Sequence, residues 1–451
     1  MYKTRFRRWG LWKHDSSAKT ITVISPQAWK DEERVYLSIR DYYDGAFASQ
    51  RWTFAKPDMV STTQDEHELA VQRTKHAMRN DDEMCLRFRA AICLLEKGRQ
   101  SPNGTCHADD LAQAVRLLRI SFAALSQSLL GPGLEAPMLP LLILYIIVRF
   151  SESTTADFSA LAAQLLKYLR GLTSSPSSQH IHPTALLWRA LCAHHLNPQA
   201  TSDKNRFSSR SQLNTCAAIA VDRVSHHIGP LHSWTVELTC FAIAVVHPKG
   251  TGPVDDKSSR FRSLLRDLET ETDGVYDTRH IDTLCCWASH LRDHGQGCSS
   301  SSSAILGQGQ GQQIGQVDPV SLHRGISLLE GVLYNPSHQK VLQEYPEGLF
   351  NMYSLLTQMN LTLKRWSVAE GYIRRAKMLA EQQRIHTGNM SDGDLFESLS
   401  SLEAVLRAQG KNEEADEVRE ERAALVKETL ELVGEGRTPL DLMFDVIKGS
   451  S

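Results

Sequence analysis

Between Arg279 and Cys298 the stretch RHIDTLCCWASHLRDHGQGC gathers His280, Cys285, Cys286, His290, His294 and Cys298. Imidazole nitrogen and thiolate sulfur are the donors that zinc prefers. On a helix Cys286, His290 and His294 share one face at i, i+4 and i+8, so a zinc site can be drawn there. The outer two lie too far apart to reach one ion without a ligand from another element. TLCCWASHL also reads as a buried helix whose cysteines act as small hydrophobes, and we adopt that reading. No metal and no cofactor is expected. The doublets His194–His195 and His226–His227 fall near helix ends, where imidazolium complements the dipole, and are read as structural.

Catalytic patterns are missing from the text. There is no phosphate-cradling GxxxxGK[ST], no dinucleotide GxGxxG, no HExxH and no nucleophile elbow. GQGQGQQIG (307–315) copies the composition of a glycine loop without the strand that would aim it. No enzyme is expected.

The remaining chemistry is electrostatic. In MYKTRFRRWGLWKHD, five Lys or Arg precede the first acid, Asp15. Read as a helix, Tyr2, Phe6 and Trp9 form an apolar stripe flanked by Lys3, Arg5, Arg7 and Arg8, and Gly10 is a natural stop. So short a helix is unstable alone and needs a surface to pack on. The whole chain is nearly neutral, with 50 Lys+Arg against 52 Asp+Glu. Any nucleic-acid role must therefore come from a local patch, and Lys3, Arg5, Arg7 and Arg8 are the candidates for phosphate contact. A solvated basic tail is the competing reading.

These residues sit in helical text. SPQAWKDEERVYLSIRDYYDG offers a capping Ser25, a first-turn Pro26, and Gly45 as a stop. Further helices are predicted at 64–97, 109–129, 137–151, 156–171, 183–196, 210–228, 230–246, 258–271 and 278–293. TITVI (20–24) is the one β-branched run and reads as an extended linker. Nine cysteines without a CxxC pair point to a reducing, intracellular setting. The charged N-terminus is unlike a signal peptide. The longest apolar run, APMLPLLILYIIV (136–148), is short of the ~20 residues a spanning helix needs and reads as a buried helix.

Residues 99–107, 172–180, 247–257 and 295–317 read as loops. The last is Gly/Ser/Gln low complexity and is expected to be a disordered tether dividing the helical mass in two. The expected organisation is an N-terminal remnant at 1–14, a helical linker segment at 15–60, an α-helical body at 61–294, the tether at 295–317, and helical repeats at 318–451.

The repeat text begins at LFNMYSLLTQMNLTLKRWSVAEGYIRRAKMLAEQQ, which splits into two helices around Arg365. Ala369, Ile373 and Ala376 match the second helix of a tetratricopeptide unit, where small residues let paired helices approach. Tyr353 and Leu356 stand at the matching distances ahead. Thr357 and Asn360 occupy positions where that pattern prefers Gly and Tyr. A second pair follows, with Leu399, Leu402 and Leu406 as first-helix stripe and Ala415 at the small position, 46 residues after Ala369. Arg419 and Arg422 stand where large and small apolar residues are expected, giving the polar outer face of a terminal repeat. The fold class is thus all-α, a tetratricopeptide-like α-α solenoid with a remnant basic helix at its start.

Tyr2, Lys3, Arg5, Phe6, Arg7, Trp9, Gly10 and Lys13 also form a run that resembles the end of the cryptic-loci-regulator (Clr-type) domain found at the N-terminus of many fungal proteins. SIRDYYDGAFASQRW (38–52) is similar to the stretch that often follows that domain. The resemblance implies a small helix-turn-helix module acting in nuclear gene silencing or transcription, with Lys3, Arg5, Arg7 and Arg8 facing phosphates and Trp9 in the module's core. The two helices that should precede Tyr2 are missing, so the chain is expected to start inside the module. The function expected from this is non-enzymatic regulation in the nucleus, with a DNA-facing start and helical repeats that hold protein or peptide partners, and no membrane contact. The alternative is a cytoplasmic helical-repeat scaffold with no nucleic-acid role.

Overall fold

A computed structural model describes residues 26–49, 138–152, 209–245, 254–295, 317–387 and 392–433, with single residues and short stretches between 88 and 191. The basic start, including Lys3, Arg5, Arg7 and Arg8, the TITVI run and residues 296–316 lie outside the described residues. Every described element is a helix.

In chain order they are α1 (Pro26–Ala48), α2 (Leu139–Glu152), α3 (Ser209–Ile228), α4 (Ser233–Val245), α5 (Val254–Glu271), α6 (Thr278–Gly295), α7 (Pro319–Leu333), a 3-10 turn at Pro336–His338, α8 (Gln339–Glu344), α9 (Pro346–Thr362), α10 (Trp366–Thr387), α11 (Asp392–Ala408) and α12 (Asn412–Val433). Apolar residues recur at helical spacing wherever two helices meet. Leu322, Ile326, Leu329 and Leu333 form the buried stripe of α7, and Leu395, Leu399, Leu402 and Leu406 that of α11. Among the described residues no helix is long and apolar enough to cross a membrane. The apolar run at 136–148 supplies most of α2, with Leu141, Ile143, Leu144 and Ile147 in the core.

Among the boundaries that differ from the sequence reading, two have a cause in the packing. Helix α1 runs through Gly45 to Ala48. Ala46 is fully buried and Phe47 stacks on His227 of α3, with ring centroids 4.2 Å apart. That packing outweighs the ~1 kcal/mol that a mid-helix glycine costs. Helix α5 begins at Val254, inside the expected loop, because Lys257 Nζ donates to the Ala244 carbonyl at 3.1 Å and ties the first turn of α5 to the end of α4.

The helices follow a regular contact order. Helices α4, α6, α9 and α11 touch one another in succession, and each packs on the helix that follows it, α5, α7, α10 and α12 respectively. One hydrophobic core holds residues of α4, α5 and α6 together with residues of α7, α9 and α10. Described helices on the two sides of residues 296–316 thus share this core. Gly295 O accepts from Asp318 N at 2.8 Å, so α6 ends where α7 begins. Asp318 then caps α7, accepting from Val320 N at 3.0 Å and Ser321 Oγ at 2.7 Å.

Two helix ends share one turn geometry. After α9, Arg365 N donates to Asn360 O and Lys364 N to Leu361 O; after α11, Lys411 N donates to Leu406 O and Gly410 N to Arg407 O. This is the Schellman pattern, which requires a left-handed residue after the last helical turn. Lys364 takes it at φ 59° and Gly410 at φ 76°.

Candidate interaction surface

The residues singled out for repeat packing lie where these helices meet. Leu356, Ala369, Ile373, Ala376, Leu399, Leu402, Leu406 and Ala415 are buried. Alanines at 369, 376 and 415 leave no side chain beyond Cβ between paired helices, which allows close approach. Thr357 and Asn360 are also buried and satisfy their polar ends within α9, Thr357 Oγ1 donating to Tyr353 O and Asn360 Nδ2 to Leu356 O, each at 2.8 Å. Intrahelical bonding is what admits these polar residues to the interior.

Arg422 corrects the expected polar outer face. It is 2% exposed, its Nη1 lies 3.0 Å from Glu403 Oε2, and its guanidinium covers the Phe396 ring at 5.7 Å. Instead of facing solvent, the arginine folds back onto α11. Glu403 is itself buried and also takes Arg407 Nε at 3.1 Å. The long side chain fills the volume that an apolar residue would occupy, and the Glu403 carboxylate offsets part of the cost of burying its charge.

Tyr353 is half-buried and borders a groove. Its ring stacks on Tyr372 at 6.1 Å, and the Arg375 guanidinium lies 6.0 Å from its centroid. Tyr372 Oη donates to Glu330 Oε1 at 2.7 Å and meets Tyr334 Oη at 3.2 Å. Burial, followed by these two hydrogen bonds, pushes the Tyr372 phenol upward, so it stays protonated. The groove beside it encloses about 440 Å³ between the 3-10 turn, α8 and α9. Tyr334, Pro336, Leu342 and Leu349 give it apolar walls, and Gln339 and Gln343 add amides. Tyr334 is largely exposed at the rim. Sequence reading marked Tyr353 but missed Tyr334 and Tyr372, which belong to no repeat position and meet only through folding.

A polar chain crosses the α6, α9, α11 row. Arg292 Nη1 donates to Gln358 Oε1, and Gln358 Nε2 and Ser354 Oγ donate to Glu397 Oε1 at 3.1 and 3.0 Å. At the other end of α6, Arg279 joins Glu271, Asp277 and the Leu231 carbonyl. Burial opposes ionisation of Asp277, but hydrogen bonds from Arg279 and His280 hold its carboxyl below the usual range. Beside it Tyr276 stacks between His280 and His338, at 4.6 and 4.0 Å. One helical turn on, Asp282 accepts from Tyr345 Oη at 2.8 Å, and burial pushes its carboxyl up to about 7. A cleft of about 520 Å³ opens between the Gly229–Ser233 turn and Arg279.

The residues considered for zinc do not converge. Cys285 is buried and its thiol pushed up by burial, Cys286 is half-buried, His290 packs against Phe261 at 6.4 Å, and His294 lies exposed 3.7 Å from Asp318. Among the described residues no three His, Cys, Asp or Glu side chains are placed to hold one metal ion. Cys298 lies outside the described residues. His226 and His227 fall in the last turn of α3, with His227 Nε2 3.5 Å from Asp44.

No family model, curated protein or solved structure matches this chain.

Proposed function

We propose that this protein is a non-enzymatic scaffold whose stacked helix pairs, of tetratricopeptide-like type, hold a segment of another protein. The observation that carries the reading is the contact order: one helix of each pair, α4, α6, α9 and α11, forms a continuous row backed by its partner helix. Such stacks leave an extended surface along the row, suited to a peptide. The repeated Schellman turn after α9 and α11 supports the assignment of two like units.

The groove at Tyr334, Leu342 and Tyr353 is the docking place that this reading favours. Aromatic rings give contact area at low entropic cost, and exposed Gln343 can bond a peptide backbone. Peptides selected from a random library on the full chain should compete for one site. Tyr334→Ala and Leu342→Asp should each weaken their binding about tenfold or more. Selection of no binders, or equal binding by both variants, refutes the groove.

The Clr-type resemblance extends the proposal to a nuclear regulator whose start faces DNA through Lys3, Arg5, Arg7 and Arg8. Retention on DNA at low salt, abolished when those four are replaced by Ala, would support this extension. Retention that survives the replacement would place DNA binding elsewhere, and the absence of retention would leave a scaffold without nucleic-acid function.

A further inference from the structure

Most cations of the repeat helices meet a carboxylate. Arg374 pairs with Glu370 and Glu414, Lys377 with Glu381 and Glu421, Arg384 with Glu428, and Lys411 with Glu370. A different arrangement occurs where α5, α6 and α7 meet. The guanidiniums of Arg262, on α5, and Arg324, on α7, lie 5.8 and 5.4 Å from the centroid of one indole, Trp287 of α6. Both arginines are exposed, and neither has a carboxylate within ion-pair distance among the described residues. Next to Arg324, His323 accepts from Arg365 Nη2 through Nε2 at 2.7 Å while its Nδ1 lies 2.6 Å from the Pro319 carbonyl. A neutral tautomer with the proton on Nδ1 satisfies both contacts. Arg365, in the turn between α9 and α10, is exposed and also lacks an acid partner among the described residues.

The packing beneath fixes these cations in place. Trp287 is 4% exposed and donates Nε1–H to Ser258 Oγ at 3.1 Å, which locks its ring between α5 and α6. Gly325, adjacent to Arg324, admits α7 so closely that a Cβ there would stand 2.7 Å from Met359 Sδ. A guanidinium held over an aromatic face loses rotamer freedom in advance and keeps its N–H edge open for a carboxylate or phosphoryl oxygen. Two such donors, with Arg365 held beside them through His323 of the same helix as Arg324, form a preorganised anion-binding strip.

We infer that the strip Arg262, Arg324 and Arg365 is a second docking surface of the scaffold, and that it takes an acidic segment of a partner protein. It rests on the scaffold reading but uses a surface other than the Tyr334 groove, which lies at the far end of α7. The strip does not suit nucleic acid. The indole under the arginines is covered and offers no face for a base to stack on. A tract that follows phosphates also needs more cations than these, and the chain as a whole is slightly acidic, with net charge −2. Successive Asp or Glu side chains on an extended peptide match the strip in charge and in bidentate geometry.

The experiment is fluorescence anisotropy of a rhodamine-labelled peptide of alternating Glu and Gly, titrated with the full chain at low and moderate salt. A Gly/Ser peptide and a single-stranded uridine oligonucleotide serve as comparators. The acidic peptide should bind, the Gly/Ser peptide should not, and binding should weaken as salt rises. The charge-reversed variant Arg262→Glu with Arg324→Glu should bind at least about tenfold more weakly. Leu342→Asp, in the groove, should leave this binding unchanged. Helical circular dichroism checks the fold of each variant, and Arg262→Gln with Arg324→Gln replaces the charge reversal if that variant unfolds. The inference is overturned by no binding at low salt, by equal binding of the arginine variants, or by tighter binding of the oligonucleotide through the same arginines. Acidic-peptide binding lost in Leu342→Asp and kept in the arginine variants would also overturn it, while leaving the groove reading intact.

Discussion

Asp282 and Glu370 are both acids held by hydrogen bonds, yet the fold moves them in opposite directions. Burial beside Tyr345 raises Asp282 from 3.8 to about 7, whereas hydrogen bonds led by Lys411 hold Glu370 down at about 2. Between pH 4 and 7 the folded protein thus keeps a proton on Asp282 that the unfolded chain has released, and this contribution to stability falls as pH rises through that window. Glu370 has the reverse sign: its contribution is complete above its ordinary value and is lost as pH drops toward 2. Asp282→Asn should therefore be more stable than the native chain at pH 8, by about 1–2 kcal/mol once partial solvent access is discounted, and equal to it near pH 4. Urea titrations at the two pH values measure the gap, and a gap that is the same at both pH values would contradict the raised Asp282. The buried pair Arg422–Glu403 gives a second residue-level expectation. Arg422→Ala should cost about 3 kcal/mol, because Glu403 keeps only the half-exposed Arg407, while Arg422→Leu with Glu403→Leu should cost much less. Thermal melts of the two variants decide this, and a double variant as damaged as the single one would mean that packing, not charge, governs the site. Neither effect was legible in the sequence. A lone Asp between Ile281 and Thr283 gives no sign of Tyr345, and Arg422 reads as surface until Phe396 and Glu403 are seen to cover it.

At the scale of the element, the sequence carried most of what the helices needed. Apolar spacing at 3 and 4 residues located α3, α4, α6 and the pairs α9–α10 and α11–α12, because each buries one stripe against a neighbour. It failed at ends decided by tertiary contact, Gly45 inside α1 and Val254 at the start of α5, where Phe47 on His227 and Lys257 on Ala244 override local propensity. The candidate site was less readable, since Tyr334 follows the end of α7, Tyr372 lies on α10, and they meet only when α7 and α10 pack around α9. The matched turns give a clean test at this scale. Lys364 holds the left-handed position that Gly410 holds one unit later, and a side chain there costs about 1 kcal/mol relative to glycine. Lys364→Gly should raise stability by roughly 0.5–1 kcal/mol, and Gly410→Ala should lower it by about 1 kcal/mol. Denaturant midpoints for both variants check the pair, and shifts of the same sign would show that the two turns are not equivalent.

At the scale of the molecule, the decisive contact is Gly295 O with Asp318 N. Composition marks 295–317 as a place where the chain changes character, and composition alone reads such a place as a boundary. The helices on either side of it pack together: Leu322 lies against Gly295, Gly325 lies beside Leu291, and one core runs from Val236 to Tyr372. The two ends are already hydrogen-bonded, so residues 296–316 contribute nothing to the length that must be bridged. The entropy lost on bringing two points of a chain together grows with the logarithm of the length between them, so replacing 296–316 by four Gly/Ser residues should stabilise the fold by about 1 kcal/mol. The shortened chain should keep a single cooperative transition for α4 to α10 and show a higher melting temperature. A tether between two independent bodies would respond differently, with two transitions in the native chain and neither of them moved by shortening. Calorimetry on the native and shortened chains separates the cases, and the outcome bears on the scaffold reading, because a partner segment laid along α4, α6, α9 and α11 needs that row to hold together as one surface.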